Sequence, residues 1–157
     1  MDLETAAALW VLRHLPTKDL PSVAVDALEI GIDSSALRIL AGERDPDVGE
    51  LERLFTRALE EAEIAIPSRS VAMMKVARCY AEMIVAGDLS AYRGASAIWW
   101  ELCIEEDAPE RLRVFKGLAS EYEDFEYRVK QDSQAGQILS EIEAQILLEA
   151  RSLLESQ

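Results

Sequence analysis

Hydrophobic positions recur along this chain at steps of three and four, the spacing of one face of an α-helix. Leu51, Leu54, Phe55, Ala58, Leu59 and Ala62 form one such stripe, opened by Asp47 and Glu50 at capping-box spacing and followed by Pro67. Met73, Val76, Ala77, Tyr80, Met83 and Ile84 predict an inward face on a helix from about Ser70 to Ala86, with Gly87 beyond its end. Ser90 stands as the cap of the next, whose inward positions are Ala95, Ile98, Trp99 and Leu102. Asp107 and Glu110 make a second capping-box pair around Pro109. The stripe Leu112, Phe115, Leu118, Ala119, Tyr122 and Phe125 follows, with Val129 near its end. Gly136 and the Gln131-Asp132-Ser133 stretch mark a turn or kink, and a last helix, about Ser133 to Leu154, buries Ile138, Leu139, Ile142, Ile146, Ala150 and Leu153.

The first third reads the same way in shorter pieces. Asp2 caps a helix from Leu3 to Leu15, stopped by Pro16. A second runs from about Pro21 to Ile30 and closes at Gly31. Asp33 caps a third, Ser34 to Ala41, closed by Gly42. Strands are the rival for such brief apolar runs, but glycine stops and an acidic cap favour helix. The expectation is an all-α chain of about eight helices in one domain, residues 1–157. Short links favour antiparallel hairpins, arranged as a compact bundle or as stacked pairs of the HEAT type. No repeated sequence period separates those two arrangements.

Charge narrows the range of partners. The 157 residues carry 30 Asp and Glu against 16 Lys and Arg, a formal charge of −14. Phosphate binding requires a basic surface, so nucleic acid and anionic membranes are disfavoured. No apolar run approaches the roughly 18 to 20 residues that span a bilayer. The chain opens Met1-Asp2-Leu3-Glu4, without the basic and apolar start of an export signal, so a cytoplasmic location with reduced thiols is expected. The charge is uneven: residues 67–104 hold 3 acids and 4 bases, between two strongly acidic flanks. That predicts that the middle helices are the most enclosed.

The segment Asp33-Ser34-Ser35-Ala36-Leu37-Arg38-Ile39-Leu40-Ala41-Gly42 resembles a D-S-x-x-L-R-x-L-A-G stretch of small, uncharacterised bacterial helical proteins. The likeness extends over roughly residues 15–125, through Asp26-Ala27-Leu28-Glu29, Leu54-Phe55, Ala58-Leu59, Gly94 and Ile98-Trp99. It implies a bacterial, cytoplasmic, all-helical protein and brings no catalytic residue with it.

Catalytic constellations are sparse. There is one histidine, His14, and there are two cysteines, Cys79 and Cys103, far apart and among apolar neighbours. Acid–base, nucleophilic and metal sites mix residue types, so no catalytic residue, metal ligand set or cofactor is assigned. Glu60/Glu63 and Glu121/Asp124 have the E-x-x-E and E-x-x-D form by which some all-helical pyrophosphatases hold magnesium. A magnesium-dependent phosphohydrolase is therefore the alternative reading, although an acid-rich chain yields such pairs by chance. Trp99 and Trp100 are neighbours on a helix, about 100° apart, so one buried and one partly exposed ring is expected. An exposed ring there, or at Tyr127, is an anchor for an adaptor or a homodimer.

The strongest candidate surface is acidic and aromatic. Glu105, Glu106 and Asp107 precede the seventh helix, and Glu121, Asp124 and Glu126 follow along it with Tyr127 turned toward the acidic side. Carboxylates speed encounter with a basic protein, and an aromatic ring supplies contact area. The same pattern also makes a solvated face that keeps the protein dissolved. The leading expectation is a non-enzymatic binding module of the immunity or inhibitor kind, docking a basic partner.

Overall fold

A computed structural model describes residues 1–44, 47–104, 107–128 and 134–155. Among them the chain is all-helical, with eight α-helices, two one-turn 3-10 helices and no strand. It divides into two compact units, Met1–Ala72 and Met73–Gln157.

The first unit contains α1 (Leu3–Val11), a 3-10 turn (Thr17–Asp19), α2 (Leu20–Glu29), α3 (Ser35–Gly42) and α4 (Val48–Glu61). Consecutive helices pack on each other, α2 on α3 and α3 on α4 most extensively. The start of α3 meets the end of α4, because the Ala36 amide donates to Glu61 Oε2 at 2.9 Å. That contact makes the pair an antiparallel hairpin. Leu3, Leu20, Leu37, Leu40, Leu51, Phe55 and Leu59 are buried in one cluster. Trp10 meets Phe55 edge-on, with ring centroids 5.5 Å apart.

After α5 (Arg69–Ala86), the second unit holds α6 (Ala91–Leu102), a 3-10 turn (Glu110–Leu112), α7 (Arg113–Glu126) and α8 (Ala135–Glu155). Here α7 packs against both α6 and α8, which also touch each other. Tyr92 at the start of α6 stacks on Tyr122 near the end of α7. Arg111, just before α7, donates to the Ser152 carbonyl near the end of α8 at 2.7 Å. Both contacts require antiparallel neighbours. Phe115, Ala119, Ile98, Leu102, Ile142, Ile146 and Leu153 fill the core, and no described charged side chain is buried.

Helix ends account for most departures from expectation. The first helix stops at Val11 rather than Leu15, because Arg13 takes a left-handed backbone (φ 59°). The Arg13 and His14 amides then close onto the Trp10 and Leu9 carbonyls. The same paired closure, a Schellman motif, ends α2 at Gly31, α4 at Glu63 (φ 57°) and α5 at Gly87. Glycine makes two of these turns readable from composition; Arg13 and Glu63 adopt them despite the steric cost of a Cβ.

Two predicted caps are corrected. Ser34, not Asp33, caps α3, accepting from the Leu37 amide at 3.2 Å. Asp33 is instead paired with Arg38, and Gly42 lies inside α3 rather than closing it. Pro109, not Asp107, takes the N-cap position of the Glu110–Leu112 turn and makes no side-chain cap bond, while Glu110 pairs with Arg113. Asp47 does cap α4, accepting from Gly49 and Glu50, and Ser90 caps α6. The predicted turn at 131–133, with Val129 and the first residue of the last helix, lies outside the described residues, whereas Gly136, also read as a turn or kink, is inside α8.

The near-neutral middle is not the most enclosed part. Met83 is exposed and Tyr80 half-buried, and Val71, Val85, Trp100 and Ile104 are exposed as well. Its low charge reflects apolar surface rather than depth. Gly94 is required by a close approach: a Cβ there would stand 2.4 Å from the Ile84 side chain, where α6 crosses α5.

Candidate functional site

The end of α7 gathers most of the predicted acidic surface. Glu121 and Asp124 are three residues apart on the face opposite Phe115 and Ala119, and both are exposed. Glu126 and Tyr127 close the helix, with Tyr127 83 % exposed. A large aromatic side chain held out in water beside carboxylates is the most distinctive element of this surface. Behind it, Arg128 lies over the Phe125 ring at 5.5 Å, covering part of the inward stripe.

Asp107 does not belong to this patch. It lies before the 3-10 turn, at the opposite end of α7, which at 1.5 Å per residue is about 20 Å long. Arg113 and Lys116 occupy the first turn between them. Glu105 and Glu106 lie outside the described residues. Among the described residues, the predicted acidic surface at this end of α7 comprises Glu121, Asp124, Glu126 and Tyr127.

Beside it is a cluster that the sequence did not single out. The Tyr92 and Tyr122 rings stack with centroids 4.3 Å apart and planes 13° from parallel. The Tyr92 hydroxyl donates to Glu123 Oε1 at 3.0 Å. Partial burial raises both phenol pKa values, and nearby carboxylates push the same way: Glu123 and Glu126 at Tyr92, Glu143 and Glu126 at Tyr122. An antiparallel hairpin brings the first turn of α6 to the last turn of α7, which is the only sequence signal that could have paired them. Glu123 is thereby committed to the fold, while Glu121, Asp124 and Glu126 present their charge to solvent.

The remaining candidates separate. Glu60 lies in the last turn of α4, but Glu63 follows the helix in its left-handed turn, so the two carboxylates do not share a helix face. Among the described residues no group of three or more His, Cys, Asp or Glu is arranged to hold a metal ion. His14 is exposed and its amide closes α1. Cys103 is buried, its thiol directed at the Leu112 carbonyl (3.7 Å), and burial raises its pKa. Cys79 is half-buried. Trp100 is exposed and Trp99 only half-buried, so neither ring is the fully buried one that was expected.

A surface depression at the start of α3 is lined by Asp33, Ser34, Ser35, Arg38 and Ile39. Arg38 spans it to Asp33 with Nε 2.7 Å from Oδ1, which holds the Asp33 carboxyl below the usual range. Two of the amides at this helix start, those of Ala36 and Leu37, are taken by Glu61 and Ser34. Among the described residues no helix is long and apolar enough to cross a membrane. No known protein family, curated protein or solved structure matches this chain.

Proposed function

We propose that this protein is a non-enzymatic binding module that docks a basic protein on the acidic end of α7. The observation that carries this reading is Tyr127, 83 % exposed among the exposed carboxylates of Glu121, Asp124 and Glu126. A side chain of that size gains little by standing in water and a great deal by entering an interface. The carboxylates supply long-range attraction, which raises the encounter rate with a cationic surface. A nuclease or another protein with a basic groove is the matching class of partner, and neutralising such a groove is how immunity and inhibitor proteins act.

The same reading extends to a cytoplasmic protein that binds neither nucleic acid nor anionic membrane, since a net charge of −14 opposes both. The stretch from Asp33 to Gly42 supports a bacterial origin through its resemblance. Association kinetics provide the test. Binding of the captured partner should slow steeply with added salt, and Tyr127→Ala should raise the dissociation rate while leaving association nearly unchanged. Salt-independent association would remove the acidic face from the mechanism.

A further inference from the structure

The near-neutral stretch 67–104 contains a helix face that the fold leaves uncovered. Gly94, Ala95, Ile98 and Leu102 of α6 are buried, while Tyr92 turns toward Tyr122 of α7. The opposite side carries Arg93, Ala97 and Trp100 at steps of four and three, and Ile104 is exposed just past the helix end. Trp100 is 54 % and Ile104 64 % exposed. The Trp100 ring stacks on Trp99, centroids 4.7 Å apart and planes 21° from parallel. It is therefore ordered before anything binds, which lowers the entropic cost of burying it.

We propose that this face is the contact between two copies of the chain, with their α6 helices antiparallel about a twofold axis. Charge favours this stretch over the acidic flanks as the place where a second copy can approach. Two copies of a −14 chain repel each other through their acidic flanks, whereas residues 67–104 hold 3 acids and 4 bases. Size and dipole then select the register. Ala97 and Trp100 are centred between positions 98 and 99, and so are Arg93 and Ile104. A twofold axis at that point sets Trp100 over the partner's Ala97, a large ring over a small side chain, and repeats the contact on the other side. It also brings Arg93 to the C-terminal end of the partner's α6. The negative end of the helix dipole lies there, and the last turn has no basic residue of its own. One arrangement satisfies both pairs.

Sedimentation velocity of the full chain over a concentration series, from micromolar to near-millimolar, tests this. The expected result is a monomer–dimer equilibrium that Trp100→Ala and Ala97→Arg each weaken roughly tenfold or more. Arg93→Glu should weaken it too, and Tyr127→Ala should leave it unchanged. All four substitutions are at exposed or half-exposed positions, and helical circular dichroism verifies that each variant is folded. A monomer at every concentration, or a dimer that survives either Trp100→Ala or Ala97→Arg undiminished, would overturn the proposal.

Discussion

The Glu61 carboxylate, at the end of α4, accepts the Ala36 backbone amide in the first turn of α3 at 2.9 Å. It is held there by Arg57 Nε at 2.8 Å, one turn earlier on its own helix. Ser34 satisfies the neighbouring Leu37 amide, so two of the four orphan amides of a short helix are closed by side chains from two different elements. A carboxylate at a helix start also meets the positive end of the dipole. This is how an eight-residue helix, below the length that is stable alone, is kept in place.

Stability should consequently depend on Glu61 in acid. The Ala36 amide, followed by Ser34 and Arg57, holds its carboxyl below the ordinary glutamate value of 4.5. A depressed folded-state pKa contributes stability that is complete above the unfolded value and lost as pH falls through the folded one. Glu61→Gln should therefore flatten the loss of stability as pH falls below the ordinary glutamate value and lower Tm at pH 7. Urea unfolding at several pH values measures both effects. An unaltered pH profile would show that the contact has no energetic weight.

Left-handed helix ends give a prediction of opposite sign. Arg13 and Glu63 occupy positions that favour glycine. Arg13→Gly and Glu63→Gly should each stabilise the fold by roughly 0.5–1 kcal/mol, the relief of Cβ strain net of added unfolded-chain freedom. Gly31→Ala and Gly87→Ala should destabilise it by about 1 kcal/mol each. Chemical denaturation of the four variants checks the set, and a loss of stability in Glu63→Gly would contradict the strain argument.

The crossing of α5 and α6 depends on the missing Cβ of Gly94. Gly94→Ala would drive a methyl into Ile84 and should cost about 1–3 kcal/mol. Ile84→Ala should be destabilising alone, yet the double variant should be more stable than the sum of the two losses predicts. Additive losses in that cycle would mean that the two positions do not meet.

The stacked tyrosines of α6 and α7 can be weighed in the same way. Tyr92→Ala and Tyr122→Ala should show a coupling of about 0.5–1.5 kcal/mol, the usual worth of an aromatic pair beyond area burial. Tyr92→Phe keeps the stack and loses only the hydroxyl bond to Glu123. It should therefore retain most of that coupling.

Much of the architecture was legible because its signals are local. Asp2, Asp47 and Ser90 cap the helices they precede, and Gly31 and Gly87 end those they follow. What escaped depends on distance or on strain. Glu61 caps a helix that begins 26 residues before it, and nothing in its neighbourhood announces that role. Arg13 and Glu63 look like ordinary helical residues until packing forces the turn. Asp107 and Tyr127 belong to two acidic stretches of the sequence, but the helix between them holds them apart. The pairing of Tyr92 with Tyr122 needed the hairpin to be known first. Low charge in the middle of the chain does not signal enclosure, because neutrality is equally a property of apolar surface.

The central claim, that the acidic end of α7 docks a basic protein, is tested most directly by two baits in parallel. Wild-type chain and the triple variant Glu121→Lys, Asp124→Lys, Glu126→Lys would each be used for low-salt capture from the native cell, with bound proteins quantified before and after a high-salt wash. The account predicts a basic protein retained by the wild type at low salt, released at high salt and depleted at least tenfold on the triple variant. Absence of any basic partner at low salt, or equal retention by both baits, would contradict it.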